Sequence, residues 1–150
     1  MEPHLYHVDL DWDTQRKGSL SSPELLLHRG TTIEVATPPE FPQGMPGIWS
    51  PEHLFTAAVS SCLMTTFLSV AENSKLAFTH FSCKAHGKLE TVEGKFMMSE
   101  IVLEPTVTIT DEKDRERAQR VLQKSEAACL ISNSVKSKVT MTTTIIVQQT

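Results

Sequence analysis

The side chains best suited to chemistry in this sequence are three cysteines, at positions 62, 83 and 129. A cysteine reacts as its thiolate, so a reactive one needs neighbours that stabilise negative charge; without them it packs as a small hydrophobe. Cys62 lies within the run HLFTAAVSSCLMTTFLSVA, which contains no Asp, Glu, Lys or Arg. A cation must reach it from elsewhere, and the candidates near the start of the chain are Arg16, Lys17 and Arg29. Cys129 ends an amphipathic segment at a helix-to-loop boundary, where a thiol is accessible. Cys83 stands beside Phe81 and Ala85 in a period-2 pattern and reads as core. Other chemistries find little support: HExxH, CxxC, GxGxxG, the phosphate-binding loop and GxSxG are all missing. The histidines at 4, 7, 28, 53, 80 and 86 lack ligand spacing, so no metal is expected.

The elements that must position these thiols can be read from patterning. Tyr6, Val8, Leu10 and Trp12 alternate with polar residues as in a half-buried strand, and Gly18 with Ser19, Ser21 and Ser22 marks a turn. Glu24 to Arg29 and Thr31 to Thr37 read as two short strands. A stiff, Pro-rich loop over 38–50 reads as a wall or lid. Ser50, Pro51 and Glu52 then form a helix start: a capping hydroxyl, a proline at the first helical position and an acid at the positive end of the dipole. The helix that follows is apolar or small on every face, so the sequence predicts burial all round. Seven of the nineteen residues in HLFTAAVSSCLMTTFLSVA are His, Ser or Thr, which argues against a membrane span. Strands are expected around Phe81 to Leu89 and over Phe96 to Thr110, joined at Glu93-Gly94, with Pro105 at an edge or bulge. Asp111 caps a second helix that faces inward with Ala118, Val121, Leu122 and Ser125 and runs out near Ala128-Cys129. Ser132, Asn133 and Ser134 make a break, and Lys138 to Gln148 is a β-branched final strand. The expected fold is a single α+β domain over 1–150, with a sheet wrapped around one unusually apolar helix.

Composition limits the functions that fit. The 150 residues carry 14 Lys+Arg against 18 Asp+Glu, a net charge of −4. That balance disfavours nucleic acid, which calls for a basic face. The N-terminal stretch MEPHLYHVDLDW is no signal peptide, and three cysteines do not make a secreted disulfide framework. A cytoplasmic protein with reduced thiols is expected.

The stretch Ser50-Pro51-Glu52-His53-Leu54-Phe55-Thr56-Ala57-Ala58, leading to Ser60-Ser61-Cys62, resembles the first signature of the OsmC/Ohr family, the osmotically induced and organic hydroperoxide resistance proteins. That signature places the reactive cysteine ten residues after the glutamate, the spacing of Glu52 and Cys62. Cys129 followed by Ser132-Asn133 resembles the family's second cysteine segment. The resemblance implies an intertwined homodimer, with an antiparallel sheet wrapped around the long helix and the active sites at the subunit interface. Cys62 would be the peroxidatic cysteine, oxidised by an organic hydroperoxide to a sulfenic acid, and Cys129 would resolve it to a disulfide. An external dithiol, such as a lipoylated protein, would reduce that disulfide, and no cofactor is implied. Arg16 would activate Cys62 in partnership with Glu52, with Arg29 as the alternative. Met45, Ile48, Trp49 and Phe55 are candidate substrate walls, with Leu54 and Phe67 beside them.

Helix geometry sharpens the dimer expectation. At 1.5 Å per residue, ten residues set Glu52 about 15 Å from Cys62 along one axis. On a continuous helix an Arg16–Glu52 pair serves a Cys62 from a neighbouring subunit. One departure from the family stands out: Leu130 follows the second cysteine, where many relatives carry proline. The sequence thus points to a thiol-dependent peroxidase. The alternative is a non-catalytic apolar-ligand binding protein or redox sensor on the same scaffold.

Overall fold

The computed structural model describes residues 1–27 and 30–149. Arg29, the alternative activator, lies outside the described residues, as does the end of the expected Glu24–Arg29 segment. The chain divides into two compact units, 1–54 and 55–150.

The first unit carries a three-stranded antiparallel sheet, β1 (Asp9–Thr14), β2 (Lys17–Ser21) and β3 (Ile33–Ala36), in that spatial order. Two expectations are corrected here. The turn falls at Gln15-Arg16, where Gln15 takes a left-handed φ of 51°; Gly18, Ser19 and Ser21 belong to β2 instead, and Ser22 precedes α1 as its N-cap. Pro23–Leu26 is a short helix, α1, rather than a strand, because Pro23 fixes a helical φ at its first position and Glu24 favours its first turn. The alternation that marks β1 does not mark burial, since every residue of that strand is exposed. The Pro-rich loop folds on itself through Phe41 N–H to Pro38 O (3.1 Å), Gly44 N–H to Phe41 O (3.0 Å) and Met45 N–H to Thr37 O (2.9 Å). Position 44 must be glycine for this path: a Cβ there would lie 1.9 Å from the Pro38 carbonyl oxygen.

Helix α2 runs unbroken from Pro51 to Asn73. Ser50 caps it as expected, accepting the His53 N–H on its Oγ at 3.1 Å while its own side chain is wholly buried. Among the described residues α2 is the one helix long and apolar enough to cross a membrane by length and composition. Burial all round is not observed. Val59, Cys62, Leu63, Phe67 and Ala71 form one buried stripe at helical spacing, while Met64 and Leu68 on other faces are 40% and 44% exposed.

In the second unit, β4 (His80–Val92) and β5 (Lys95–Ile109) pair antiparallel along their whole length, turning at Glu93-Gly94 with φ of 50° and 78°. Both turn residues are left-handed, as a tight hairpin of this hand requires. The expected final strand arrives as two, β6 (Lys138–Met141) and β7 (Thr144–Val147), each parallel to β5. Pro105 gives the physical reason. It lies in the central strand, fully buried, and not at an edge or a bulge as expected. Lacking an N–H it cannot donate to a ladder, and the terminal strand is interrupted opposite it: β6 pairs with Glu100–Leu103 and β7 with Thr106–Ile109. Helix α3 (Arg115–Ala128) follows a 3-10 turn that Asp111 caps by accepting the Lys113 N–H at 3.0 Å.

The core lies where α2 meets β5. Val59 and Leu63 pack with Ile101 and Leu103. Phe67 and Ala71 pack with Val107 and Ile109 and with Ala118, Val121 and Leu122 of α3. Phe67 is wholly buried, its ring 4.8 Å from Phe81 and 5.0 Å from Phe78 between centroids, and burying such a ring contributes roughly 1.5–3 kcal/mol. It is core and not a substrate wall. Gly87 of β4 admits the start of the helix: a Cβ there would sit 2.2 Å from Thr56 Oγ1.

Candidate active site

Two elements bring the candidate thiols together within the second unit. Cys62 belongs to the buried stripe of α2, held by the packing of Val59, Leu63 and Phe67. Cys129 is the C-terminal cap of α3, whose inward face of Ala118, Val121, Leu122 and Ser125 anchors that helix in the core. Both thiols are free, with Cys62 8% exposed and Cys129 fully buried. Each thiol bears on the ionisation of the other.

The electrostatics separate the two. Burial opposes ionisation of Cys62. Against it, the Cys129 thiol, the backbone N–H groups of Ile131 and Leu130, and the Thr66 hydroxyl all favour the anionic sulfur, and the balance holds its pKa below the ordinary thiol value. Thr66 stands one turn further along α2, with Oγ1 3.9 Å from the Cys62 sulfur. Cys129 moves the other way: burial pushes its thiol up, and so does its neighbour Cys62, while the Ser132 hydroxyl and N–H pull down without prevailing. Cys62 thus ionises more readily than Cys129, the order of acidity that suits an attacking and a resolving sulfur.

The sequence asks for a cation near Cys62; in this unit backbone N–H groups and a hydroxyl do the stabilising. A peptide N–H leaves no mark in a residue-type pattern, so Leu130 and Ile131 were not legible as donors. Thr66 was missed as well, although its spacing, a hydroxyl four residues on from a helical cysteine, is the signal that marks it. The turn after α3 is well held: Cys129 N–H donates to Glu126 O at 3.2 Å, Asn133 N–H to Cys129 O at 3.1 Å and Ser134 Oγ to Leu130 O at 2.7 Å.

Cys83 behaves as core. It packs partly buried against the Val59–Leu63 cluster, its Sγ lies 3.5 Å from Lys84 O, and burial pushes its pKa up.

The other candidates fall in both units. Arg16 belongs to the first, where its Nε donates to Gln43 Oε1 at 3.2 Å. It lines a cleft of about 690 Å³ together with Trp12, Lys17, Val35, Thr37 and Pro51. Glu52 is in the first turn of α2, also in that unit. Of the proposed wall residues, Met45, Ile48 and Trp49 lie there too; Trp49 is 53% exposed, with its ring edge-on to His53 at 6.1 Å. Phe55 belongs to the second unit, packing on the Val59–Leu63 cluster and lining a cavity of about 710 Å³ with Phe96, Met98, Lys95 and Lys136. Among the described residues no three His, Cys, Asp or Glu side chains converge on a point that could hold a metal.

Comparison with known proteins agrees with this arrangement at the level of the fold. An uncharacterized protein of Bacillus subtilis, YmaD, is 22% identical over 144 residues, covering 93% of this chain and 91% of its own. The structure of an OsmC-like protein of unknown function from Vibrio cholerae superposes with a TM-score of 0.81 at 22% identity, covering 94% of this chain and 99% of the other. An organic hydroperoxide resistance protein from Legionella pneumophila superposes with a TM-score of 0.74 at 21% identity, covering 98% and 100%. The family model for OsmC-like proteins matches residues 44–144, a span that holds both cysteine segments and the helix between the loop and the core sheet, and the chain accordingly belongs to the OsmC-like family.

Proposed function

We propose that this protein is a thiol-dependent peroxidase that reduces organic hydroperoxides to alcohols, in defence against oxidative stress. The observation that carries the reading is a pair of buried free thiols that bear on each other's ionisation, with Cys62 held below the ordinary thiol pKa and Cys129 pushed above it. The Cys62 thiolate attacks the distal oxygen of ROOH. The O–O bond breaks, RO⁻ takes a proton and leaves as alcohol, and Cys62 becomes a sulfenic acid. The Cys129 sulfur then attacks the Cys62 sulfur, water leaves, and a disulfide forms. A dithiol reductant, such as a lipoylated protein, returns both thiols and is itself oxidised. No cofactor enters this cycle. Relatives of the same fold named for organic hydroperoxide resistance support the choice of substrate class.

Arg16 and Glu52 complete the reading as the activating pair. Because α2 is unbroken, ten helical residues separate Glu52 from Cys62, about 15 Å along the axis. We therefore assign the pair to the Cys62 of a second copy, in a homodimer with shared sites. Exposed Leu10, Trp12, Met64 and Leu68 are apolar surface that such a partner would cover. The reaction is assigned to the cytoplasm, where thiols stay reduced, with no nucleic acid or membrane as partner.

The test is peroxide consumption with tert-butyl hydroperoxide and a dithiol, run beside sedimentation on one sample. Turnover by a species of twice 16.7 kDa, abolished in Cys62→Ser, is expected. A stable protein that consumes no peroxide would overturn the peroxidase, and a fully active monomer would overturn the shared site.

A further inference from the structure

The end of α2 and one face of α3 enclose a cleft that the thiol chemistry does not use. It measures about 280 Å³ and is lined by Ser74, Arg117, Arg120, Val121 and Lys124, all within the second unit. At 3.6 residues per turn, Arg117, Arg120 and Lys124 fall within about 60° of one another around α3 and spread over about 10 Å of its length. Val121 between them belongs to the core and is 3% exposed, so the row of charges stands over an apolar floor. The chain carries a net charge of −4, yet every charged residue lining this cleft is a cation.

The protein itself does little to neutralise them. Arg117 Nη1 lies 3.9 Å from Asp114 Oδ1, and Arg120 Nη1 lies 4.0 Å from Glu116 Oε2. Both separations exceed hydrogen-bond length, and ion pairs of this kind at a surface contribute little. Among the described residues Lys124 pairs with no carboxylate, and the Ser74 hydroxyl makes no hydrogen bond. Arg117 Nη1 also donates to Lys75 O at 3.5 Å, at the left-handed residue (φ 54°) that follows α2. That contact holds the guanidinium against the turn and covers a carbonyl that would otherwise repel an anion.

We propose that this cleft binds the phosphates of a soluble compound carrying two or more linked phosphate groups. Each guanidinium presents a planar fork of N–H donors that matches two phosphate oxygens, Lys124 adds a compact charge, and Ser74 offers a neutral donor at the rim. A row of cations about 10 Å long exceeds what one phosphate can bridge, whereas linked phosphates meet all three. The site is separate from Cys62 and Cys129 and stands whether or not those thiols reduce peroxides.

Inorganic pyrophosphate is the probe, titrated by calorimetry at low ionic strength. Saturable binding of one pyrophosphate per chain is expected, tighter than that of inorganic phosphate. Arg120→Ala and Lys124→Ala should each weaken it about fivefold or more. Lys84→Ala, which removes a positive charge from exposed β4, should leave it within about twofold of wild type. In the wild-type protein, amide shifts on titration should centre on Ser74, Lys75 and 117–124. Peroxide consumption by Arg120→Ala should be unchanged. Absence of saturation, equal weakening by Lys84→Ala, or amide shifts centred elsewhere would overturn the site. Capture on phosphatidylcholine vesicles doped with phosphatidylinositol bisphosphate, without any response to pyrophosphate, would assign the phosphate chemistry to a lipid headgroup and overturn the soluble ligand.

Discussion

The two units of this chain are built on different physical terms. The second, 55–150, holds nearly all of the buried apolar side chains; among the described residues Ala36 and Pro38 are the buried apolar ones in the first. Both thiols sit in the second unit, on a helix stripe and a helix cap locked by packing. Arg16 and Glu52 sit in the first, whose β1 is exposed along its length. A nucleophile and its resolving partner must stay within bonding reach, which a close-packed core secures. An activating cation can be delivered by a surface element, provided something docks that element. The unit that lacks a core is therefore the one expected to find its missing burial on a second copy.

Substitutions can break or sharpen this contrast. The largest effect is expected from Phe67→Ala, which removes a wholly buried ring stacked on Phe81 and should cost about 3–5 kcal/mol in urea denaturation. Loss of less than ~1 kcal/mol would mean that the second unit is not the stable core. Next comes Leu130→Pro. Cys129 has φ −66° and ψ 111°, the extended conformation that a following proline demands, so the turn accepts the change. The substitution deletes one N–H donor to Cys62, the smallest of the influences that favour its ionised form, so alkylation of Cys62 at neutral pH should slow about threefold. An unchanged rate would show that the backbone donors do not hold the thiolate.

The pH dependence follows from the directions of the two shifts. Cys62 is depressed, so it carries negative charge at a pH where an ordinary thiol is protonated, and iodoacetamide should label it first as pH rises. Cys129 is raised and should label after Cys62, at a pH above the ordinary thiol range. Labelling in the reverse order would exchange their roles. The smallest effect is expected from Leu10→Ala on exposed β1. At protein concentrations too low for two copies to associate, stability should change by about 0.5 kcal/mol or less. A larger loss there would show that the first unit supports its own fold.

Features marked by residue type were legible in the sequence. Ser50-Pro51 located the start of α2 because a cap and a proline act through local geometry, and Glu93-Gly94 located the β4–β5 turn because glycine there takes a positive φ. The inward face of α3 was read residue for residue from its periodicity. Features that depend on tertiary context were not. Gln15 carries a left-handed φ that serines and Gly18 advertised more strongly, and Pro105 was assigned to an edge although a break in the terminal strand accommodates it centrally. The apolar α2 was expected to be buried all round because composition does not say how much cover one chain has. At the site, Cys62 and Cys129 were identifiable as side chains, whereas the peptide N–H groups of Leu130 and Ile131 have no signature at all.

The central claim is that Cys62 and Cys129 of one chain work as a redox pair while Cys83 does not. Reduced protein treated with one equivalent of cumene hydroperoxide, then alkylated, digested and mapped by mass spectrometry, tests it directly. A Cys62–Cys129 cross-linked peptide within a single chain and an alkylated Cys83 are expected. A cross-link through Cys83, or three alkylated cysteines after the peroxide has been added, would contradict it.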